Sequence, residues 1–242
     1  MRTFTFLICA IVSVLVGCTT RSISDSGYPQ GGYYGSRSSN QLYQGELSEF
    51  DVIGVDAGAA PSDKDIADAF SNSTARIELR KGDSLMLIQS GAMIPDSEMI
   101  QHMEKSFSVS VFTGVPERSK ESNASYSRSL RLAAAKAGIG TIVVYWGVLE
   151  SGIENLGTKT VSWVPIVGSV LPDEAQTMRI RLKVGVVDVK TGRWEMFTPR
   201  SLDDRSYSAR IIREQSDQAQ VQALKEAAYT LAAEGILARY VR

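Results

Sequence analysis

The 242-residue chain is poor in the residues that most often carry chemistry, with one histidine and two cysteines. A zinc centre normally draws on several His or Cys ligands. His102, beside Met99 and Met103 on a predicted helix, has no such company, so it reads as an exposed or hydrogen-bonded helix residue, and no resident metal or other cofactor is expected. A Ser-His-Asp triad would have to use that same histidine, and no Gly-x-Ser-x-Gly elbow presents a nucleophile. Phosphate loops of the Gly-x-x-x-x-Gly-Lys-Ser/Thr and Gly-x-Gly-x-x-Gly types are missing as well. Neither sign of charge dominates: 26 Lys and Arg stand against 27 Asp and Glu. That balance gives no basic surface for nucleic acid. No apolar run reaches the roughly 20 residues that a membrane-spanning helix requires. The acidic pairs Asp203-Asp204, Glu117 with Glu121, and Asp173-Glu174 could be drawn as general acid and base, but solvated loop charges explain them more simply. No catalytic residue is assigned. A Ser–Lys dyad, whose members need only meet in space, keeps a hydrolase as the alternative.

What is present begins at the N-terminus. Arg2 precedes a 13-residue apolar run from Phe4 to Val16, and Leu15-Val16-Gly17-Cys18 follows with small residues before a cysteine. A basic start, a short apolar middle and a small-residue cleavage site make a secretory signal. The sequence Leu-Val-Gly-Cys resembles the lipobox of bacterial lipoproteins. The resemblance implies cleavage before Cys18 and acylation of that residue by palmitate-type chains. Cys9 would leave with the signal, and a lone Cys18 at the mature terminus suits an attachment point better than a redox group. One acyl chain binds a bilayer marginally, whereas several hold it. Thr19 in place of Asp implies sorting to the outer membrane, on its periplasmic face. Loss of residues 1–17 removes Arg2 and no acidic residue, so the formal charge moves from −1 to −2.

Residues 18–45 are rich in Gly, Ser and Tyr with few aliphatics, the composition of a disordered tether. Such a tether spans on the order of 30 Å. Residues 46–83 read as a small N-terminal extension. Within it, Phe50–Val55 suggests a short strand, and Ser62 with Asp65 suggests the capping box of a short helix with Ile66, Ala69 and Phe70 on one face. Arg76–Arg80 alternates like a half-buried strand.

Residues 84–242 carry the main domain. Ser84–Gln89 is an apolar strand, and Met99, Met103 and Phe107 mark the inner face of the helix opened by Pro95-Asp96-Ser97-Glu98. Val109–Phe112 is a strand. A helix over 123–138 presents Leu130, Leu132, Ala133 and Ala137, and Thr141–Trp146 is a buried central strand. Thr177–Val189 alternates Met178, Ile180, Leu182 and Val184 against Arg179, Arg181 and Lys183. The turn Asp188–Arg193 returns it into Trp194–Thr198. A last helix from about Asp217 to Tyr240 carries Val221, Leu224, Ala228, Leu231 and Leu237. The order β-α-β-α-β-β-β-α defines an α+β fold, a mixed and largely antiparallel sheet with helices packed on one side.

The helix end and strand at Ala137-Gly138-Ile139-Gly140 and Thr141–Trp146, followed by the Asp188-Val189-Lys190-Thr191-Gly192-Arg193-Trp194 turn, resemble a family of periplasmic domains. The family includes the curli-secretion channel lipoprotein and the amino-terminal domain of the Tol–Pal propeller protein. The likeness covers roughly residues 84–240. It implies a membrane-anchored, non-enzymatic accessory or assembly factor for an envelope complex, or else a secretion-channel subunit. Partners would be the membrane through the lipid, and an envelope protein or further copies of the chain, with no nucleic acid. The apolar run Val161–Pro172, holding Trp163, Val164, Ile166 and Val167, is the partner-binding candidate, because an exposed apolar patch usually marks an interface. If the lipobox reading is right, Cys18→Ser blocks processing and moves the protein out of sedimented membranes; normal processing with unchanged sedimentation would exclude it.

Overall fold

Two fifteen-residue strands form the spine of the molecule. In a computed structural model that describes residues 18–26, 43–55, 60–71, 76–116, 123–155, 174–208 and 213–242, β4 (Thr141–Asn155) and β5 (Glu174–Asp188) pair antiparallel from end to end. Thr141 stands opposite Asp188, and Asn155 opposite Glu174. The other described strands are β1 (Cys18–Ser22), β2 (Ser84–Gln89), β3 (Ser108–Phe112), β6 (Trp194–Phe197) and β7 (Leu202–Ser208). The helices are α1 (Glu49–Ile53), α2 (Asp63–Ser71), α3 (Ser97–Glu104), α4 (Asn123–Lys136) and α5 (Arg213–Tyr240). The spine changes neighbours halfway along both edges. β4 pairs β2 in parallel through Tyr145 and then β1 antiparallel from Val148. β5 pairs β7 as far as Ile180 and β6 from Val184. β3 lies outside β2, in parallel.

The α+β class and the mixed sheet are as the sequence predicts, but the helices cover both faces. β2 shows why, because its residues alternate between two cores. Leu85 and Leu87 face Met99 and Met103 of α3 and Val221, Leu224, Tyr229 and Ile236 of α5. Met86 and Ile88 face Val52 of α1 and Leu130 and Ala134 of α4. Parallel crossovers are right-handed. The step β2–α3–β3 goes outward and β3–α4–β4 returns past β2, so the two helices must lie on opposite faces.

Further corrections concern the N-terminal third. Residues 18–22, expected in the tether, are a sheet strand, and Ile23 behind them is 2% exposed in the α3/α5 core. Residues 27–42 of that expected tether lie outside the described residues. The expected strand at Phe50–Val55 is α1. Ser48 caps it, with Ser48 N donating to Asp51 Oδ2 (2.8 Å) and Phe50 N donating to Ser48 Oγ (3.2 Å). Leu47 and Val52 occupy the staple positions around this capping box and are both buried. These local signals outweigh the β-branched run that suggested a strand. Leu47, Val52, Ile77 and Leu79 belong to the two cores, so residues 46–83 do not form a separate extension. Residues 76–80 keep their alternation but join the fold through one bridge, Leu79 to Val241. The α2 cap at Ser62 and Asp65 is present, and its Ile66 and Phe70 are exposed.

On α4 the buried stripe is Ser127, Leu130 and Ala134, while Leu132 is 56% exposed and Ala137 is also exposed. Contact with α1 sets that phase, since Ser127 Oγ donates to Val52 O (2.9 Å). β7 is an additional strand, and it takes in Asp203 and Asp204, read earlier as loop charges. The Thr-Gly turn is as expected. Thr191 N and Oγ1 both donate to Asp188 Oδ1, and Gly192 sits at φ 74° against the Arg131 guanidinium.

Ile23 shows how firmly β1 is docked. It fills the space over Gly147, where an added Cβ would come within 2.5 Å of Ile23 Cδ1 and 2.7 Å of Leu182 Cδ2. Ile23→Ala should therefore destabilise the fold by about 2–5 kcal/mol in urea unfolding. Leu132→Ala, at an exposed position, should stay within about 0.5 kcal/mol. Equal effects from the two would refute the docking of β1.

Candidate functional site: a groove beside the first strand

Where the spine changes neighbours, no edge strand covers Trp146 and Gly147 on one side or residues 181–183 on the other. Strand side chains alternate between faces. Trp146 and Val148 therefore share one face with Arg181 and Lys183, on the α1/α4 side but beyond the helices' cover. The result is a groove of about 560 Å³, lined by Thr20, Arg21 and Ser22 of β1, Trp146 and Val148 of β4, and Arg181 and Lys183 of β5. Tyr43, Glu46, Glu49 and Thr198 complete its walls. That volume lies in the range of small-ligand and peptide-anchor sites.

The groove combines an aromatic floor with charges of both signs. Trp146 is fixed by donating its indole N–H to Leu47 O (2.8 Å). Lys183 pairs with Glu49, and Arg181 with Glu150, which Arg179 also approaches at 3.8 Å. These pairs are largely solvated, so each contributes little to stability and can exchange with an incoming partner. Glu46 Oε1 accepts from Ser22 Oγ and from Tyr43 OH (3.4 Å). Its Oε2 is shielded from solvent and has no hydrogen-bond donor among the described residues. Burial first, and then the Glu46 carboxylate, hold the Tyr43 phenol above its ordinary range.

A second polar cluster lies at the C-terminal end of β2, around a cavity of about 270 Å³. Gln89 accepts from Tyr145 OH (2.5 Å) and from Asp96 N (2.7 Å), and donates to Ser24 Oγ (3.0 Å). Asp96, at the N-cap of α3, makes no side-chain cap bond to the helix. Its Oδ2 accepts instead from Tyr229 OH and from Lys225 Nζ (2.9 Å), tying α3 to α5. The Tyr145 and Tyr229 rings meet edge to face at 5.7 Å. Serine and lysine do come together here, as a Ser–Lys dyad would need, but both are otherwise engaged. Ser24 Oγ donates to Ser90 O (2.6 Å), Ser26 Oγ donates to Ile23 O (2.6 Å), and the Lys225 ammonium is held by Asp96. Burial, followed for Tyr145 by the Asp96 charge and for Tyr229 by Tyr145, pushes both phenols well above the usual value. They stay protonated donors, which is structural work and not general-base chemistry.

The residues singled out from the sequence are scattered. Cys18 opens β1, opposite Gly152, two residues before the groove-lining Thr20. Trp163, Val164, Ile166 and Val167 lie outside the described residues, as do Glu117, Glu121 and Asp173. Asp203 stands opposite Arg179 in the β5–β7 register. His102 is hydrogen-bonded on the α3 surface, with Nε2 3.1 Å from Thr230 Oγ1 and Nδ1 3.2 Å from Lys105 Nζ. Among the described residues no cluster of His, Cys, Asp and Glu could hold a metal, and no helix is long and apolar enough to cross a membrane. The groove residues escaped the sequence reading. The one available signal was the basic outer face Arg179, Arg181 and Lys183 on a strand whose inner face is apolar from Met178 to Val186.

Residues 48–239 match the family described as YafT bacterial lipoprotein, and the chain belongs to that family. This supports the bacterial-lipoprotein reading; the curli-secretion and Tol–Pal likeness gains no support from it. No curated protein matches the chain. Among solved structures, a neuraminyllactose-binding hemagglutinin homolog of Helicobacter pylori is similar at 14% identity and TM-score 0.28, covering 67% of this chain and 86% of that one. Lipoprotein GNA1162 of Neisseria meningitidis gives 14% identity and TM-score 0.23, with 59% and 98% covered. The hypothetical protein CT253 of Chlamydia trachomatis gives 12% and 0.24, with 66% and 95% covered.

The buried phenols generate a pH prediction. A tyrosine whose folded pKa is raised contributes fully below its unfolded value, about 10, and that contribution disappears as pH rises toward the folded value. Stability should therefore be flat from neutral pH to about 10 and fall above it. Phenolate absorbance should show Tyr240 titrating at about 12, with Tyr145 and Tyr229 ionising only as the protein unfolds. Ionisation of all tyrosines near 10 with the fold intact would contradict the buried network.

Proposed function

We propose that this chain is a non-enzymatic accessory or assembly factor for an envelope complex, acylated at Cys18 and held at the periplasmic face of the outer membrane. The groove between β1 and α1 would be its partner-binding site. Membership of a bacterial lipoprotein family supports the anchored, envelope setting. The observation that carries the binding role is the groove itself: a fixed indole flanked by exchangeable ion pairs, on a stretch of sheet that α1 and α4 leave uncovered. Such a floor suits a protein segment that presents an apolar side chain flanked by charges of both signs. A donor from that segment reaching Glu46 Oε2 would gain a hydrogen bond to a carboxylate, about 1.5–3 kcal/mol. The engaged Ser24, Ser26 and Lys225 support the non-enzymatic reading over the hydrolase.

The test is site-specific crosslinking in intact envelopes. A photo-reactive residue at Lys183 should capture a defined envelope protein, whereas one at Lys190, on the far turn, should not. Arg181→Glu should lower that capture about tenfold, the equivalent of about 1.4 kcal/mol. Identical adducts from both positions, or none from Lys183 with the fold intact, would remove the groove from consideration.

A further inference from the structure

We infer that the end of the sheet formed by Cys18 and residues 152–155 and 174–177 is the surface this domain presses against a phospholipid bilayer. The inference rests on acylation of Cys18 as proposed above and goes beyond it, because an anchor alone leaves orientation and distance free. A 28-residue tether would let the domain wander on the order of 30 Å from the membrane. The register removes that slack: Cys18 itself pairs with Gly152, so the acyl-bearing residue is already the first residue of the sheet.

Several contacts resist peeling β1 away. Ile23 is buried over Gly147, Ser24 Oγ donates to Ser90 O, and Ser22 Oγ donates to Glu46. Pulling the anchor outward would have to break these together. The β4–β5 spine therefore stands with its Asn155/Glu174 end at the headgroups. Its Thr141/Asp188 end lies about 45 Å away at the usual strand rise. The groove begins at Thr20, two residues or about 7 Å along β1 from the anchor, so the proposed partner would be met close to the membrane surface. Charges of both signs flank the end, among them Arg179, Arg181, Glu150 and Glu154, so the acyl group and the clamp, not a basic patch, set the orientation.

The mature chain has no cysteine other than Cys18, and acylation blocks that one, so a single introduced thiol gives a unique label. Lipidated protein carrying a fluorophore at Glu154→Cys or at Lys190→Cys is bound to phosphatidylcholine–phosphatidylethanolamine vesicles that contain a headgroup nitroxide quencher. Quenching should be several-fold stronger at position 154 than at 190. Inserting about twenty Gly/Ser residues between Cys18 and Thr19, a span of about 25 Å, should make the two positions equal while the protein still sediments with vesicles. Equal quenching in the uninserted protein that still sediments would overturn the orientation and leave acylation standing. Failure of the processed protein to sediment would overturn acylation, and the orientation with it.

Discussion

The fifteen-residue antiparallel pairing of β4 with β5 is the constraint from which the rest of this molecule follows. At fifteen residues each, the pair is more than twice as long as any strand that flanks it, four to seven residues, so no single neighbour covers either edge. Each edge is shared, β2 then β1 on one side and β6 then β7 on the other. Where the neighbours change, the outer backbone is uncovered and the two faces have different cover. On the α3/α5 face the gap is closed by Ile23, which needs the missing side chain of Gly147. On the other face α1 and α4 stop short, and the groove opens over Trp146. Core and candidate site are two consequences of one mismatch in length.

That arrangement also joins Cys18 to the groove. β1 opens at Cys18 and is one wall of the groove. Any restraint placed on Cys18 is transmitted through the strand that holds Ser22 against Glu46 and leads to Ile23 in the core. A partner that displaces the Lys183–Glu49 or Arg181–Glu150 pair acts on the same few residues. The buried Gln89–Tyr145–Asp96–Tyr229 cluster keeps the C-terminal end of β2 rigid behind this wall. Its hydrogen bonds are made within the fold, between β2, β4, α3 and α5.

Much of the fold was legible from residue patterns. The alternation through Met178, Ile180, Leu182 and Val184 identified β5. The spacing of Met99 and Met103 identified the α3 face, with Phe107 buried in the same core just beyond the helix end, and the Asp188–Arg193 turn was read as a hairpin turn. The failures had definable causes. Val52, Ile53 and Val55 suggested a strand through their β-branched content, and the Ser48–Asp51 capping box that starts a helix there went unread. Residues 18–22 suggested a tether because a short polar strand at a sheet edge buries little of its own. Its stabilisation comes from Ile23 and from β4, more than a hundred residues away.

Composition and local pattern by themselves determined the lipobox-like cysteine, the scarcity of catalytic and metal-binding residue types, the α+β class and the faces of most strands. Those properties depend on residue chemistry and on periods of 2 and 3.6, which neighbours in sequence define. Only the tertiary structure decided that helices cover both faces, that residues 18–23 are stitched into the sheet and core, and that Trp146, Arg181, Lys183, Glu46 and Glu49 form one groove. Each of those depends on crossover handedness or on the register between strands distant in the chain, and neither leaves a local trace in the sequence.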